Sequence, residues 1–116
     1  MACRIIKSFR FDAAHFLHEV PEGHKCGRLH GHTYVVKLGL EGELHPRLGW
    51  VQDYGDVSAA FAPIMEMFDH HNLNEIEGLE NSTAEIMAIW IYDRLKPDLP
   101  LLTDVTVCET PTTEAI

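Results

Sequence analysis

Hydrophobic and polar positions in this chain follow two different periods. Over residues 3–14, Ile5, Phe9, Phe11 and Ala13 share one parity, while Ser8, Arg10 and Asp12 share the other. Successive side chains of an extended chain point to opposite faces, so the pattern predicts a strand with one apolar face, interrupted by Lys7. The same period returns over 30–40, where Tyr34, Val36, Leu38 and Leu40 alternate with Thr33, Val35, Lys37 and Gly39. Gly39 and Gly42 weaken the far end of that second strand. Residues 20–28 carry Pro21, Gly23 and Gly27 and read as a loop, and His45-Pro46 with Gly49 mark a turn-rich connection over 41–50.

The period then becomes helical. Val57, Phe61, Ile64 and Phe68 fall at i, i+4, i+7 and i+11 within 55–68, with Asp53 or Asp56 as the cap. Pro63 lies inside this run and predicts a kink or an irregular turn. Residues 69–79 read as a polar loop. Ser82-Thr83-Ala84-Glu85 fits the capping box and opens a helix over 83–95, ended by Pro97. A third strand is expected over 101–109, with Thr103, Val105 and Val107 on one face, and 110–116 carry little pattern. The order strand, strand, helix, helix, strand predicts an α+β domain, a small antiparallel β-sheet with two helices packed on one face. So small a sheet keeps open edges, which favours oligomerisation.

The 116 residues suit one domain spanning 1–116. With 9 Lys+Arg against 18 Asp+Glu the net charge is −9, which argues against non-specific nucleic-acid binding. An anionic small substrate stays compatible, because a local basic pocket can sit on an acidic protein. No window approaches the roughly 18 apolar residues of a membrane span, and the first residues lack the apolar run of a secretion signal. A cytoplasmic setting with reduced thiols follows as the expectation. Cys3 and Cys108 fall in predicted strands and are expected to be buried and inert.

Four constellations carry candidate chemistry. His30 and His32 share a strand face, and His15 ends the neighbouring strand in the parity of Phe11 and Ala13. Pairing those strands would converge three imidazoles, an arrangement typical of a catalytic zinc with an open fourth position. His-x-His alone also occurs without any metal, and imidazoles suit several divalent ions. Cys26 has Lys25 and Arg28 within two residues, a setting that favours a thiolate; the alternative is a loop cysteine with solvated neighbours. Asp69-His70-His71 offers a carboxylate beside an imidazole, and spacing does not choose between the two histidines. Glu109 ends the third strand on its apolar face, where a ligand with adjacent N–H groups would satisfy it.

Together these segments resemble the 6-pyruvoyl-tetrahydropterin synthase family. The matching residues run from Phe11-Asp-Ala-Ala-His15 through Pro21-Glu-Gly-His-Lys-Cys26-Gly-Arg-Leu-His30-Gly-His32. They continue through Gly49-Trp50, Asp53, Asp69-His70-His71, Leu73-Asn74 and Gly78-Leu-Glu-Asn81 to Glu109-Thr110. The Cys-x-x-x-His-Gly-His spacing is similar to the bacterial branch, the 6-carboxy-5,6,7,8-tetrahydropterin synthases of queuosine biosynthesis; in the pyruvoyl branch the cysteine lies further upstream.

The resemblance implies zinc held by His15, His30 and His32, with Cys26 as the proton-abstracting group and Asp69 and His70 as its partners in proton transfer. It implies Glu109 as the anchor of a pterin ring and 7,8-dihydroneopterin triphosphate as substrate. It also implies the T-fold, whose subunits close into an oligomeric barrel, usually a homohexamer with active sites between subunits. Lys25 and Arg28 are candidates for the triphosphate, from their local positive charge on an acidic chain. Ser82 stands where the family commonly has proline, and as a helix cap it should matter little. The chain stops at Ile116, where family members usually continue through another strand; either the tail is short or the sequence is truncated, which puts the edge pairing of the barrel in question. The rival readings are 6-pyruvoyl-tetrahydropterin synthase activity and a non-catalytic pterin-binding zinc oligomer. A zinc hydrolase would need a Glu base beside the metal ligands, and none is evident from the spacing.

Overall fold

Two long strands carry the architecture of the computed structural model, which describes residues 1–116. Strand β1 (Ala2–His15) and strand β2 (His30–Glu43) pair antiparallel along their whole length, from Ala2 opposite Glu43 to His15 opposite His30. The pairs Phe11 with Tyr34, Ala13 with His32 and His15 with His30 place these side chains on one sheet face. Strand β3 (Leu102–Thr110) adds antiparallel to β2, and a short strand β4 (Thr113–Ala115) folds back on β3. The sheet order is β1-β2-β3-β4. Residues 110–116, featureless in the sequence pattern, thus hold a fourth strand.

Helix α1 (Tyr54–Phe68) and helix α2 (Ala84–Leu95) both lie between β2 and β3 in the chain and supply the other half of the core. Val57, Phe61, Ile64 and Phe68 of α1 and Met87, Ile91 and Leu95 of α2 are buried with Phe11, Tyr34, Val36, Leu38 and Leu40. Phe9 stacks on Phe61 at 4.2 Å between ring centroids, and Phe68 meets Phe11 and Trp90 at 5.5 and 5.4 Å. Such rings contribute directional contacts beyond the area they bury. No helix is long and apolar enough to cross a membrane.

The strands, both helices and the α+β class follow the sequence expectation; several details do not. Asp53, one of the two expected caps, does cap α1, accepting from the Gly55 N–H at 2.8 Å, and Pro63 lies inside the continuous helix. The cap of α2 is Thr83, whose hydroxyl accepts from the Ile86 N–H at 3.2 Å, so Ser82 is not the capping residue. A bulge between Gly39 and Leu40 shifts the β2–β3 register. An extra residue reverses parity, so Leu102 and Val105 both face the core while Thr103 turns to solvent. Cys3 is exposed near the start of β1, and Cys108 is buried.

Gly39 marks a close approach. The Arg4 guanidinium reaches across β2 to the Asp104 carboxylate, with Nη2 at 2.7 and 2.6 Å from its two oxygens. A Cβ on Gly39 would lie 2.6 Å from that Nη2. Gly39→Ala should therefore displace the ion pair and lower stability by about 1–2 kcal/mol, read from the urea midpoint. In an Arg4→Ala background the same substitution should cost less.

Candidate metal centre and active site

The β1–β2 register brings the residues of the centre to one face. His15 is the last residue of β1 and faces His30, the first of β2, while His32 lies two residues along the same face. One ring nitrogen from each of the three lies within 4.8 Å of the others. The rings meet edge to face, with centroids 4.7 Å apart for His15 and His30, 5.2 Å for His15 and His32, and 4.8 Å for His30 and His32. Tyr34 sits next to the group, its ring 5.4 Å from His32 and 5.9 Å from His15.

Hydrogen bonds define which nitrogens are free. Nδ1 of His15 lies 2.9 Å from the Ser82 carbonyl and 3.0 Å from the Ser82 hydroxyl oxygen. A carbonyl only accepts, so Nδ1 carries the proton and Nε2 keeps its lone pair. His30 is oriented alike, its Nδ1 donating to the Arg28 carbonyl at 2.6 Å. Nε2 of His15 is buried and has no hydrogen-bond partner, an arrangement that is costly to maintain around an empty acceptor. Burial drives the His15 imidazole down to about 4, and the neighbouring His30 and His32 rings push the same way. Burial, then His30, also lowers His32. Neutral imidazoles with inward lone pairs are the donor set of a zinc-type cation, and the three residues fit one with a fourth position open.

Glu109, on β3, closes one side. Its Oε2 is 3.4 Å from Nε2 of His15 and 3.6 Å from Nε2 of His32. Burial, with the nearby Glu85 charge, raises its carboxyl above the ordinary range. A carboxylate therefore does stand beside the candidate ligands, which the spacing of residues did not reveal.

Asp69 and His70 meet, but elsewhere. The Asp69 carboxylate is 2.9 Å from Nδ1 of His70 and accepts the Asp12 N–H at 3.1 Å, the bond that chiefly holds its carboxyl below the usual range. His70 has φ 60°, a left-handed conformation uncommon outside glycine, and its N–H donates to the Asp12 carbonyl at 2.6 Å. His71 instead directs Nδ1 to the Asp69 carbonyl at 2.9 Å. His70 is thus the imidazole paired with the carboxylate. Both histidines line a cavity of about 540 Å³ with Asp12, Gly31, His32 and Thr33. Asp12 and Thr33 are in the strand parity that points away from the helices, and no hydrogen bond or ion pair links the dyad to His15 or Glu109.

Cys26 occupies a 3-10 turn, Lys25–Gly27, capped by His24, whose Nδ1 accepts the Cys26 N–H at 3.1 Å. Its carbonyl accepts the Leu17 N–H at 2.7 Å, tying this loop to the end of β1. Lys25 and Arg28 are exposed on the same loop. Within one subunit Cys26 has no side-chain hydrogen bond to the histidines or to the Asp69–His70 pair. Three residues near the centre escaped the sequence reading: Ser82, Asn74 and Tyr34. No spacing signal marks the first two, and Tyr34 reads simply as core.

The His15 shift has a consequence for stability. Unfolded, this imidazole titrates near 6.5; folded, at about 4, so between those values the unfolded chain binds more protons. The metal-free protein should be at full strength above pH 6.5 and lose roughly 3 kcal/mol as pH falls through that window. Urea midpoints taken across the range should show the decline, and His15→Gln should flatten it.

The model of the 6-pyruvoyl tetrahydropterin synthase family matches residues 4–116. A 6-carboxy-5,6,7,8-tetrahydropterin synthase of Synechocystis is 37% identical over 117 residues, covering 96% of this chain and 89% of that protein. A dihydroneopterin monophosphate aldolase of Pyrococcus furiosus is 36% identical over 100 residues, covering 86% and 81%. The solved 6-pyruvoyl tetrahydropterin synthase of Caenorhabditis elegans superposes with a TM-score of 0.90 at 30% identity, over 98% of this chain and 93% of that one. Fold, residue order and family model agree, and the chain belongs to the 6-pyruvoyl tetrahydropterin synthase family.

Proposed function

We propose that this chain is a zinc-dependent 6-carboxy-5,6,7,8-tetrahydropterin synthase of queuosine and 7-deazapurine biosynthesis, working in the cytoplasm. The reaction takes 7,8-dihydroneopterin triphosphate and water to 6-carboxy-tetrahydropterin, acetaldehyde and triphosphate. The observation that carries the reading is the convergence of His15, His30 and His32 beside the Glu109 carboxyl group. The Synechocystis relative of that name adds to it.

In this reading His15, His30 and His32 hold zinc, which when bound supplies Lewis acidity to the side-chain oxygens of the substrate. Glu109 accepts two adjacent N–H groups of the pterin and sets its orientation. Cys26 removes a side-chain proton, and His70, held by Asp69, returns one at another carbon. Lys25 and Arg28 meet the triphosphate, whose departure and the following carbon–carbon cleavage complete the reaction. Cys26 makes no side-chain hydrogen bond to the Asp69–His70 pair, which accords with a site completed by a neighbouring copy in a homohexamer. Beyond the stretch covered by residues 69–72, β1 carries Lys7 and Arg10, and a groove of about 680 Å³ between α2 and β3–β4 is rimmed by Glu85 and Asp93, charges that would complement one another between copies.

The Pyrococcus relative favours a second reading, aldol cleavage of dihydroneopterin monophosphate at the same centre. Products separate the two. Zinc-loaded protein given the triphosphate should release acetaldehyde in step with 6-carboxy-tetrahydropterin. A 6-pyruvoyl product without acetaldehyde would assign the sibling activity, and a 6-hydroxymethyl pterin formed from the monophosphate would assign the aldolase. Binding without turnover would leave a pterin-binding oligomer. Chelation should abolish activity and added zinc restore it. Cys26→Ala should keep its zinc and lose about 10²–10⁴-fold in kcat.

A further inference from the structure

The ligand His15 is held from two sides by one small network. Its Nδ1–H is shared between the carbonyl and hydroxyl oxygens of Ser82, which is wholly buried just before the α2 cap. The Ser82 hydroxyl in turn lies 3.3 Å from Nδ2 of Asn74, the longest of three contacts that share that amide's two hydrogens. The same Asn74 amide grips the backbone of Phe16, accepting its N–H at 2.8 Å and donating to its carbonyl at 2.9 Å. A further bond from Nδ2 reaches the Glu80 carbonyl at 3.0 Å. One side chain thus ties the residue after His15 to the segment that orients the His15 ring. Asn74 is itself fixed, since its backbone N–H donates to the Asn72 side chain at 3.1 Å and it sits in the 3-10 turn Leu73–Glu75.

We infer that Asn74 and Ser82 are positioning residues that present Nε2 of His15 to the metal centre. β1 ends at His15, so beyond it the chain has no ladder on β2 to fix the direction of the side chain; the Asn74 amide supplies the missing backbone bonds. Ser82 supplies two acceptors to Nδ1–H, which holds the ring in the tautomer whose other nitrogen is free to ligate. Outer partners of this kind are commonly worth 10–100-fold in metal affinity. The inference rests on the reading of the histidines as a metal site, and not on which pterin reaction occurs there.

The test compares wild type with Ser82→Ala, Asn74→Asp and Asn74→Ala. Zinc dissociation constants are taken by competition with a chromophoric chelator, and the His15 tautomer of the metal-free protein by long-range ¹H–¹⁵N correlation. Asn74→Ala should weaken zinc about tenfold or more, and Asn74→Asp at least as much, because it keeps the bond from Phe16 N–H but sets a carboxylate oxygen against the Phe16 and Glu80 carbonyls. Ser82→Ala should weaken zinc severalfold. In Asn74→Ala the single Nδ1–H tautomer of His15 should become a mixture, whereas Ser82→Ala, which keeps the backbone carbonyl acceptor, should retain it. If Asn74→Ala fails to fold, the other two decide. Zinc affinities within twofold of wild type and an unchanged tautomer would overturn the inference even if Tm falls, because both residues would then be merely structural. Wild-type protein that binds no zinc would overturn it together with the metal reading. Tight zinc that weakens in the variants would support it whichever pterin product is found.

Discussion

A slip of one residue in the β1–β2 ladder would carry His15 to the opposite sheet face from His30 and His32, because side chains alternate strictly along a strand. It would also expose Phe11 and Phe9 to water and bury Arg10 and Asp12. The candidate metal centre and the hydrophobic core are therefore locked by one register, fixed over fourteen pairs from Ala2 with Glu43 to His15 with His30. The apolar side chains that stabilise the fold are, residue for residue, in the parity class of the candidate ligands. Phe11, Ala13 and His15 on β1 face Tyr34, His32 and His30 on β2. Coupling of this kind lets a chain of 116 residues hold three imidazoles together with the whole sheet behind them.

The same burial sets the electrostatics. Charging an imidazole in a low-dielectric setting is unfavourable, and a second charged ring a few ångströms away adds repulsion, so His15 and His32 are kept neutral. Neutrality is the state that leaves a lone pair for a cation. Glu109 is treated by the same environment in the opposite sense, its carboxyl raised by burial while two imidazole nitrogens stand within 3.6 Å. A cation at the focus of the three rings would reinforce the first tendency and reverse the second, since it stabilises the neutral ring and the ionised carboxylate together.

Much of this was legible in the sequence wherever a single period governs an element. Phe11, Ala13 and His15 could be placed on one face because nothing interrupts the alternation between them, and Val57, Phe61, Ile64 and Phe68 mark α1 by spacing alone. Legibility ends where tertiary context overrides local pattern. Ser82 and Thr83 are equally good caps by composition, and only the buried ring of His15 explains why Ser82 turns inward and Thr83 takes the helix. The β3 parity is broken by a bulge that its own residues do not announce. Cys3 satisfies the strand pattern yet lies where β1 begins, beyond the cover of the helices. Asn74 is a polar residue in a polar loop until its four partners are seen.

The placement of chemistry divides by element type. The candidate ligands are on strands, where backbone ladders leave little freedom; Cys26 and the Asp69–His70 pair are on connections, one in a 3-10 turn and one at a left-handed residue after α1. Positioning demands differ accordingly: a cation needs its donors fixed before it arrives, whereas proton transfer needs groups that approach the substrate from outside. The left-handed backbone at His70 is tolerated because Asp12 on β1 binds both the His70 N–H and the Asp69 carboxylate. That clamp joins the dyad to the same strand that carries His15, but on its other face. One rigid strand thus holds the candidate ligands toward its own core and fixes the Asp69–His70 pair outward, where a neighbouring subunit's pocket is the proposed recipient. In such an assembly the distance between metal and acid is set by strand pairing within subunits and edge pairing between them, and a loosened edge would impair proton transfer while leaving the metal in place.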